Sequence, residues 1–247
     1  MVFDKLFNPH PKEVIKPVPS RPYGETNIGM YREKNEDAIL IFDRNDIYDQ
    51  VKFHSVYAVA DGFGGQPNGE VASHSLISLI FDHASSGRYI NQEELQKINN
   101  QIEAGATTLV LAQQSDKDQN HYHLYSVGDS SALILDQKSA TLTEITKRDE
   151  NSAGNVTQAM GPDTGNFFFK KANQSSVLLE EGQTLILATD GFTRYIDKGQ
   201  ISPSQILHLK KNCPDNTAFV KSLINQANSL GGVDNITIIS IPYSSQK

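Results

Sequence analysis

The chain has 247 residues, 22 lysines and arginines against 29 aspartates and glutamates, a formal net charge of −7 and 38% hydrophobic residues. That length and apolar content suit one sizeable domain with its own core and argue against a disordered chain. An acidic balance without a Lys/Arg stripe excludes nucleic acid or an anionic membrane as a bulk partner and leaves any phosphate recognition to one focal site.

Cys213 is the single cysteine, so intramolecular disulfides and thiolate zinc sites are excluded and a reducing, cytoplasmic setting is expected. The opening Met1-Val2-Phe3-Asp4-Lys5-Leu6-Phe7 is broken by charge, and no later segment approaches the roughly 20 apolar residues of a membrane span. Residues 1–20 read as a Pro-rich leader, since five prolines between Pro9 and Pro22 prevent helix.

Asp37–Phe42 and Val51–Ala60 then read as paired strands, and Glu70–Ser85 has the spacing of an amphipathic helix. Asn91–Glu103 follows as a second helix. Thr107–Gln114 and His121–Val127 form a hairpin, with further strands at Ala132–Asp136 and Thr141–Ile145. Asn155–Met160 reads as a helical turn, and Ser176–Leu179 and Thr184–Thr189 as strands about Glu181-Gly182. Ser204–Lys211 and Asn216–Leu230 are predicted helices, and Gly231-Gly232 stops the second before a last strand, Ile236–Ile241. Strands and helices do not alternate regularly, so the expected fold is α+β, antiparallel sheets covered by helices.

Four aspartates stand at the ends of apolar strands: Asp61 in Asp61-Gly62-Phe63-Gly64-Gly65, Asp129 in Gly128-Asp129-Ser130, Asp190 in Asp190-Gly191, and Asp234 in Asp234-Asn235. Taken singly, each is a turn residue. Burying several carboxylates together costs several kcal/mol per ion unless a cation lies between them, and an all-oxygen cluster selects a hard ion such as magnesium or manganese. The repetition points to a multinuclear metal site.

Other motifs carry less. Asp116, Asp118 and Asn120 begin a calcium-loop pattern that fails at His121 and Val127. His121 and His123 share a strand face without a third ligand, and no serine has a triad context. Arg32-Glu33-Lys34-Asn35-Glu36-Asp37 reads by default as a solvated loop. Beside an acid cluster, though, Arg32 suits a phosphate dianion, and Glu36 and Asp37 suit water held by a metal ion.

In this order the segments resemble the metal-dependent protein phosphatases, the type 2C Ser/Thr phosphatases, in their bacterial form. The likeness rests on Thr26–Arg32 with Asn35–Ala38, Val59–Gly65 with Gly69–Ser73, Ala106-Thr107-Thr108, Val127–Ser130, Thr157–Gly161, Ala188–Thr193 and Asp234–Thr237. It implies a four-layer αββα sandwich, two antiparallel β-sheets flanked by helix pairs, over residues 21–247. It also implies that Asp61 bridges two Mg2+ or Mn2+ ions. The Gly62 carbonyl and water held by Glu36 would complete one ion, Asp190 and Asp234 the other, and Asp129 with Asp190 a weaker third. Asp37 and Asn235 would stand behind the ligands. Arg32 would orient the phosphate while a water shared by the two ions attacks phosphorus.

Two departures follow from the same comparison. Phe63 occupies the place of a proposed general acid and cannot donate a proton, so a metal-held water is expected to protonate the leaving group. The flap between Arg148 and Asn155 is shortened to Asn151-Ser152-Ala153-Gly154. The expected activity is hydrolysis of phosphoserine and phosphothreonine in proteins by a monomer, opposing a Ser/Thr kinase. The rival reading is a catalytically weak sensor or scaffold domain.

Overall fold

The apolar runs pair antiparallel throughout. The structure, a computed structural model, describes residues 21–47, 53–63, 68–163, 165 and 168–245. The leader at 1–20, the first two residues of the Val51–Ala60 run, and Gly64 and Gly65 lie outside these. Among the described residues the chain forms β1 (Tyr23–Asn27), β2 (Asp37–Phe42), β3 (Val56–Asp61), α1 (Gly69–Ser85), α2 (Gln92–Asn99), β4 (Leu109–Gln114), β5 (His121–Val127) and β6 (Ser131–Asp136). It continues through β7 (Thr141–Glu144), β8 (Asn173–Leu178), β9 (Gln183–Ala188), α3 (Asp190–Asp197), α4 (Pro203–Asn212), α5 (Asn216–Ser229) and β10 (Ile236–Pro242).

Two five-stranded sheets result, ordered β1-β10-β9-β6-β7 and β2-β3-β4-β5-β8. Three apolar layers bind them, as expected for sheets with both faces covered. Tyr57, Val59, Val110, Leu124, Ala132, Leu187 and Ile239 meet between the sheets. Leu76, Ile80, Leu95 and Ile98 of α1 and α2 pack on the outer face of the second sheet, against Leu40, Ala58 and Leu111. Phe192, Ile206, Phe219 and Leu223 of α3, α4 and α5 pack on the first, against Leu133, Ile186 and Ile238. The expected four-layer αββα arrangement is the one observed.

Three elements differ from the sequence expectation. β1 has no apolar run, and it becomes a strand by pairing with β10, Tyr23 opposite Ser240 and Asn27 opposite Ile236. Asn155–Met160 is extended, not a helical turn. Two of its amides are taken by distant carbonyls, Thr157 N–H by that of Asp149 (2.7 Å) and Met160 N–H by that of Thr107 (2.8 Å), in place of i→i−4 bonds. The segment after Thr189, expected as a glycine turn, opens α3 directly.

Candidate metal and phosphate site

Strand register brings the acids to one end of the sandwich. Asp37 of β2 lies directly opposite Asp61 of β3, so both carboxylates leave the sheet on the same face. β9 ends at Ala188 and α3 starts at Asp190, next to β10, whose first residue follows Asp234-Asn235. The β5–β6 turn supplies Asp129. Like charges opposite one another repel, and here the repulsion is felt in a poorly solvated pocket.

Burial, then the charges of Asp37, Asp190, Asp129 and Asp234, hold the Asp61 carboxyl well above the usual range, although Asp61 keeps some contact with solvent. Burial first and Asp190 second raise Asp129 to about 7. Asp37 is 2% exposed. Its Oδ2 accepts from Thr189 Oγ1 (3.0 Å) and Thr237 Oγ1 (2.6 Å), while its Oδ1 is buried with no hydrogen-bond partner. Burial outweighs those two hydrogen bonds and lifts Asp37 to about 7.

Two arginines face the cluster. Arg32 grips Asp234 with both arms of its fork, Nε to Oδ1 at 2.7 Å and Nη2 to Oδ2 at 2.9 Å. Arg194, one turn along α3 from Asp190, places its Nη2 on Asp190 Oδ2 and 3.1 Å from Asp234 Oδ2. As they stand, no three acidic or histidine side chains among the described residues are drawn together tightly enough to share one ion. Asp190 and Asp234 are turned onto guanidinium groups instead.

The backbone beneath is over-determined. Asp61 N–H donates to Thr108 Oγ1 (3.0 Å), Thr108 N–H donates to the Asp61 carbonyl (2.9 Å), and the Thr108 hydroxyl meets Ser130 Oγ at 2.7 Å beside Asp129. Asn235 Oδ1 accepts from Glu36 N–H (2.9 Å), and its amide nitrogen donates to the carbonyls of Ile28 and Lys34 (both 2.9 Å), tying the Arg32–Glu36 loop to β10. Asp149 holds the Gly128-Asp129 turn, accepting from Gly128 N–H at 3.1 Å.

Glycine is required where segments touch. A Cβ on Gly62 would lie 2.3 Å from the Gly69 carbonyl oxygen and 2.7 Å from that of Glu36, and one on Gly191 would lie 1.8 Å from the Asn235 carbonyl oxygen. Gly191→Ala is therefore expected to push α3 off β10 and to cost about 3 kcal/mol, the upper end for overpacking. Chemical denaturation would read it, and a cost under about 1 kcal/mol would show that the junction yields.

The structure thus brings Asp61, Asp129, Asp190, Asp234 and Asp37 within electrostatic reach of one another, with Arg32 on Asp234 and Asn235 behind Glu36. It adds Arg194, Asp149, Thr108, Thr189 and Thr237, which sequence reasoning missed. Arg194 stands i,i+4 from Asp190, a spacing that puts the two side by side only on a helix, and no helix was expected there. The three threonines lie in the segments that carry the family resemblance, Ala106-Thr107-Thr108, Ala188–Thr193 and Asp234–Thr237, but no residue pattern there assigns them a hydrogen-bonding role.

A sequence model described as "Protein phosphatase 2C" matches residues 33–234. The chain is 26% identical to the "Serine/threonine phosphatase stp" of Listeria welshimeri, over 87% of this chain and 93% of that protein. It is 25% identical to a "Putative protein phosphatase 2C-type" of Streptococcus pyogenes, over 90% and 97%. Its fold is similar to that of the S. agalactiae serine/threonine phosphatase, with a TM-score of 0.73 at 20% identity over 91% of this chain and 99% of that one. It is also similar to the catalytic domain of the phosphatase PstP solved with two manganese ions, with a TM-score of 0.68 at 22% identity over 91% and 98%.

Proposed function

The chain belongs to the protein phosphatase 2C family and is a protein serine/threonine phosphatase, and from that premise we propose that its hydrolysis of phosphoserine and phosphothreonine depends on Mg2+ or Mn2+ held by the strand-end acids. The observation that carries this is the convergence of Asp61, Asp129, Asp190, Asp234 and Asp37 at one end of the sandwich, where burial and the neighbouring charges raise the proton affinity of Asp61, Asp129 and Asp37 and the Asp37 Oδ1 is buried without a partner. Carboxylate oxygens converging on one end of the sandwich suit a hard divalent cation once Asp190 and Asp234 turn from the guanidinium groups. A relative of the same fold was solved with two manganese ions.

On this reading Asp61 would be a ligand to both ions. Gly62, through its carbonyl, and Glu36, through water, would help hold the first, and Asp190 and Asp234 the second. Asp129 with Asp190 would hold a weaker third. When bound, the ions supply Lewis acidity toward water and phosphoryl oxygen. The chain's own part is positional. Asn235 fixes Glu36 through its amide, Thr189 and Thr237 fix Asp37, and Arg32 leaves Asp234 to take up phosphate oxygens with the same fork.

The Glu150–Val156 connection closes as a tight turn, with Asn151 N–H donating to the Asn155 carbonyl at 2.9 Å and Asn151 Oδ1 accepting from Ala153 and Asn155. So short a connection supports an open site that leaves peptide sequence little to select on. Among the described residues no helix is long and apolar enough to cross a membrane. The proposed setting is a bacterial cytoplasm, where a monomer opposes a Ser/Thr kinase.

The deciding experiment is phosphate release from a phosphothreonine peptide with manganese and with chelator. Equal rates in the two would sink the metal reading. Arg32→Ala is expected to raise KM about tenfold, about 1.4 kcal/mol of lost phosphate binding, with a smaller change in kcat. A fall confined to kcat would instead place Arg32 on the transition state alone.

A further inference from the structure

Arg194 does something in this site that the reaction does not need. It sits on α3 four residues after Asp190, its Nε donating to the Asp190 carbonyl (3.2 Å) and its Nη2 shared between Asp190 Oδ2 and Asp234 Oδ2, the latter at 3.1 Å. These are the two carboxylates assigned above to the second ion, Asp190 being shared with the weaker third. Asp61, by contrast, receives no hydrogen bond on its carboxylate among the described residues. The guanidinium is thus directed at one half of the acid cluster, and it is held there within a partly buried site, its side chain 25% exposed and that of Asp234 17%.

Resting on the metal reading, we infer that Arg194 is a built-in counter-cation that competes with the second divalent ion for Asp190 and Asp234. A guanidinium keeps its proton at every accessible pH, so it leaves these oxygens only by moving. Attached to the helix that carries Asp190, it acts at a high effective concentration. A divalent ion entering between Asp190 and Asp234 needs the same lone pairs and is repelled by the charge already there. The first ion, on Asp61, Gly62 and Glu36, meets no such competitor. The chain therefore binds its two ions unequally, and the site becomes complete only when free cation is abundant enough to expel Arg194 from both carboxylates, with Arg32 released from Asp234 as well. Metal-free protein is kept folded by the same contact, because the guanidinium neutralises carboxylates that would otherwise repel.

The test is calorimetric titration of Mn2+ into the full chain, comparing wild type with Arg194→Met and Arg194→Lys, together with melting curves in chelator and in saturating manganese. Wild type is expected to bind in two steps. Arg194→Met should tighten the weaker step at least tenfold, about 1.4 kcal/mol, and Arg194→Lys, which keeps a charge but loses the fork, by a smaller factor of about three. In chelator Arg194→Met should melt below wild type, and in saturating manganese the gap should close. Two steps of unchanged affinity in both variants would overturn the inference while leaving the metal site standing. No manganese binding by any of the three proteins would overturn the metal reading and the inference together. Should Arg194→Met fail to fold in chelator, Arg194→Lys decides: an unaltered weaker step is the overturning result.

Discussion

Asp61→Asn is expected to lower kcat by about a thousandfold or more, about 4 kcal/mol of transition-state stabilisation, and at the same time to make the metal-free protein more stable. The two halves have one cause. The surroundings of Asp61 hold its carboxyl well above the ordinary range, first by burial and then through Asp37, Asp190, Asp129 and Asp234. An amide of the same shape keeps the Asp61 backbone bonds to Thr108 and removes the charge that those neighbours resist. Without metal, relief of that repulsion should be worth on the order of 1 to 2 kcal/mol, a rise in Tm of a few degrees for a chain this long. With manganese the order should reverse, since the variant lacks the carboxylate proposed to hold both ions. Wild-type turnover in the variant would refute the assignment of Asp61. A lower Tm in chelator would mean that the carboxylate already has a cation-like partner in the folded protein.

The parts of this site that were legible in the sequence are those where a strand meets an acid. Val56–Ala60, His123–Val127 and Leu185–Ala188 are buried runs whose period and β-branched content leave few alternatives, so the position of the following aspartate is fixed by the strand's end. Segments whose structure is decided by partners were illegible. β1 is polar and becomes a strand because β10 lies beside it, with Gly24 packed so closely that a Cβ would come within 2.7 Å of Ile39 and 2.8 Å of Ile239. α3 was hidden by its own start: Asp190-Gly191 looks like a turn, and Thr189, the residue before the helix, gives its hydroxyl to Asp37 instead of capping. With α3 unseen, Arg194 had no register relative to Asp190, and its pairing with Asp190 and Asp234 went unread. Asp149 is a similar case, a loop carboxylate whose role depends on Gly128, Gln158 and Asn173 converging from three separate segments.

In chelator, the protein is expected to lose stability as pH rises from 5 to 8, the opposite of the usual acid-denaturation trend. The sign follows from Asp37, which is almost wholly buried and is raised to about 7 in the folded protein against an ordinary value of 3.8. Between those two values the native state holds a proton that the unfolded chain has lost, so the unfolding free energy falls as pH increases. The favourable contribution is complete below about pH 4 and gone above about pH 7. Between pH 5 and 7 the slope is about 1.4 kcal/mol per pH unit for one such group, on the order of 2 to 3 kcal/mol in all. Asp129, also raised to about 7, acts in the same direction. For a chain of this length the fall corresponds to roughly 5 to 10 °C in Tm. Asp37→Asn should make the fall shallower without abolishing it, because the amide oxygen still accepts from Thr189 and Thr237 while the charge is gone, and Asp129 and Asp61 remain. Manganese should flatten it too, by binding the deprotonated carboxylates of the folded state alone, about 2.7 kcal/mol at a hundredfold excess over Kd. Melting curves in chelator at pH 5, 6, 7 and 8 decide the matter: a Tm that is flat or rising across that range would mean that Asp37 is already ionised within the metal-free fold, and that some cation other than a bound metal neutralises the cluster.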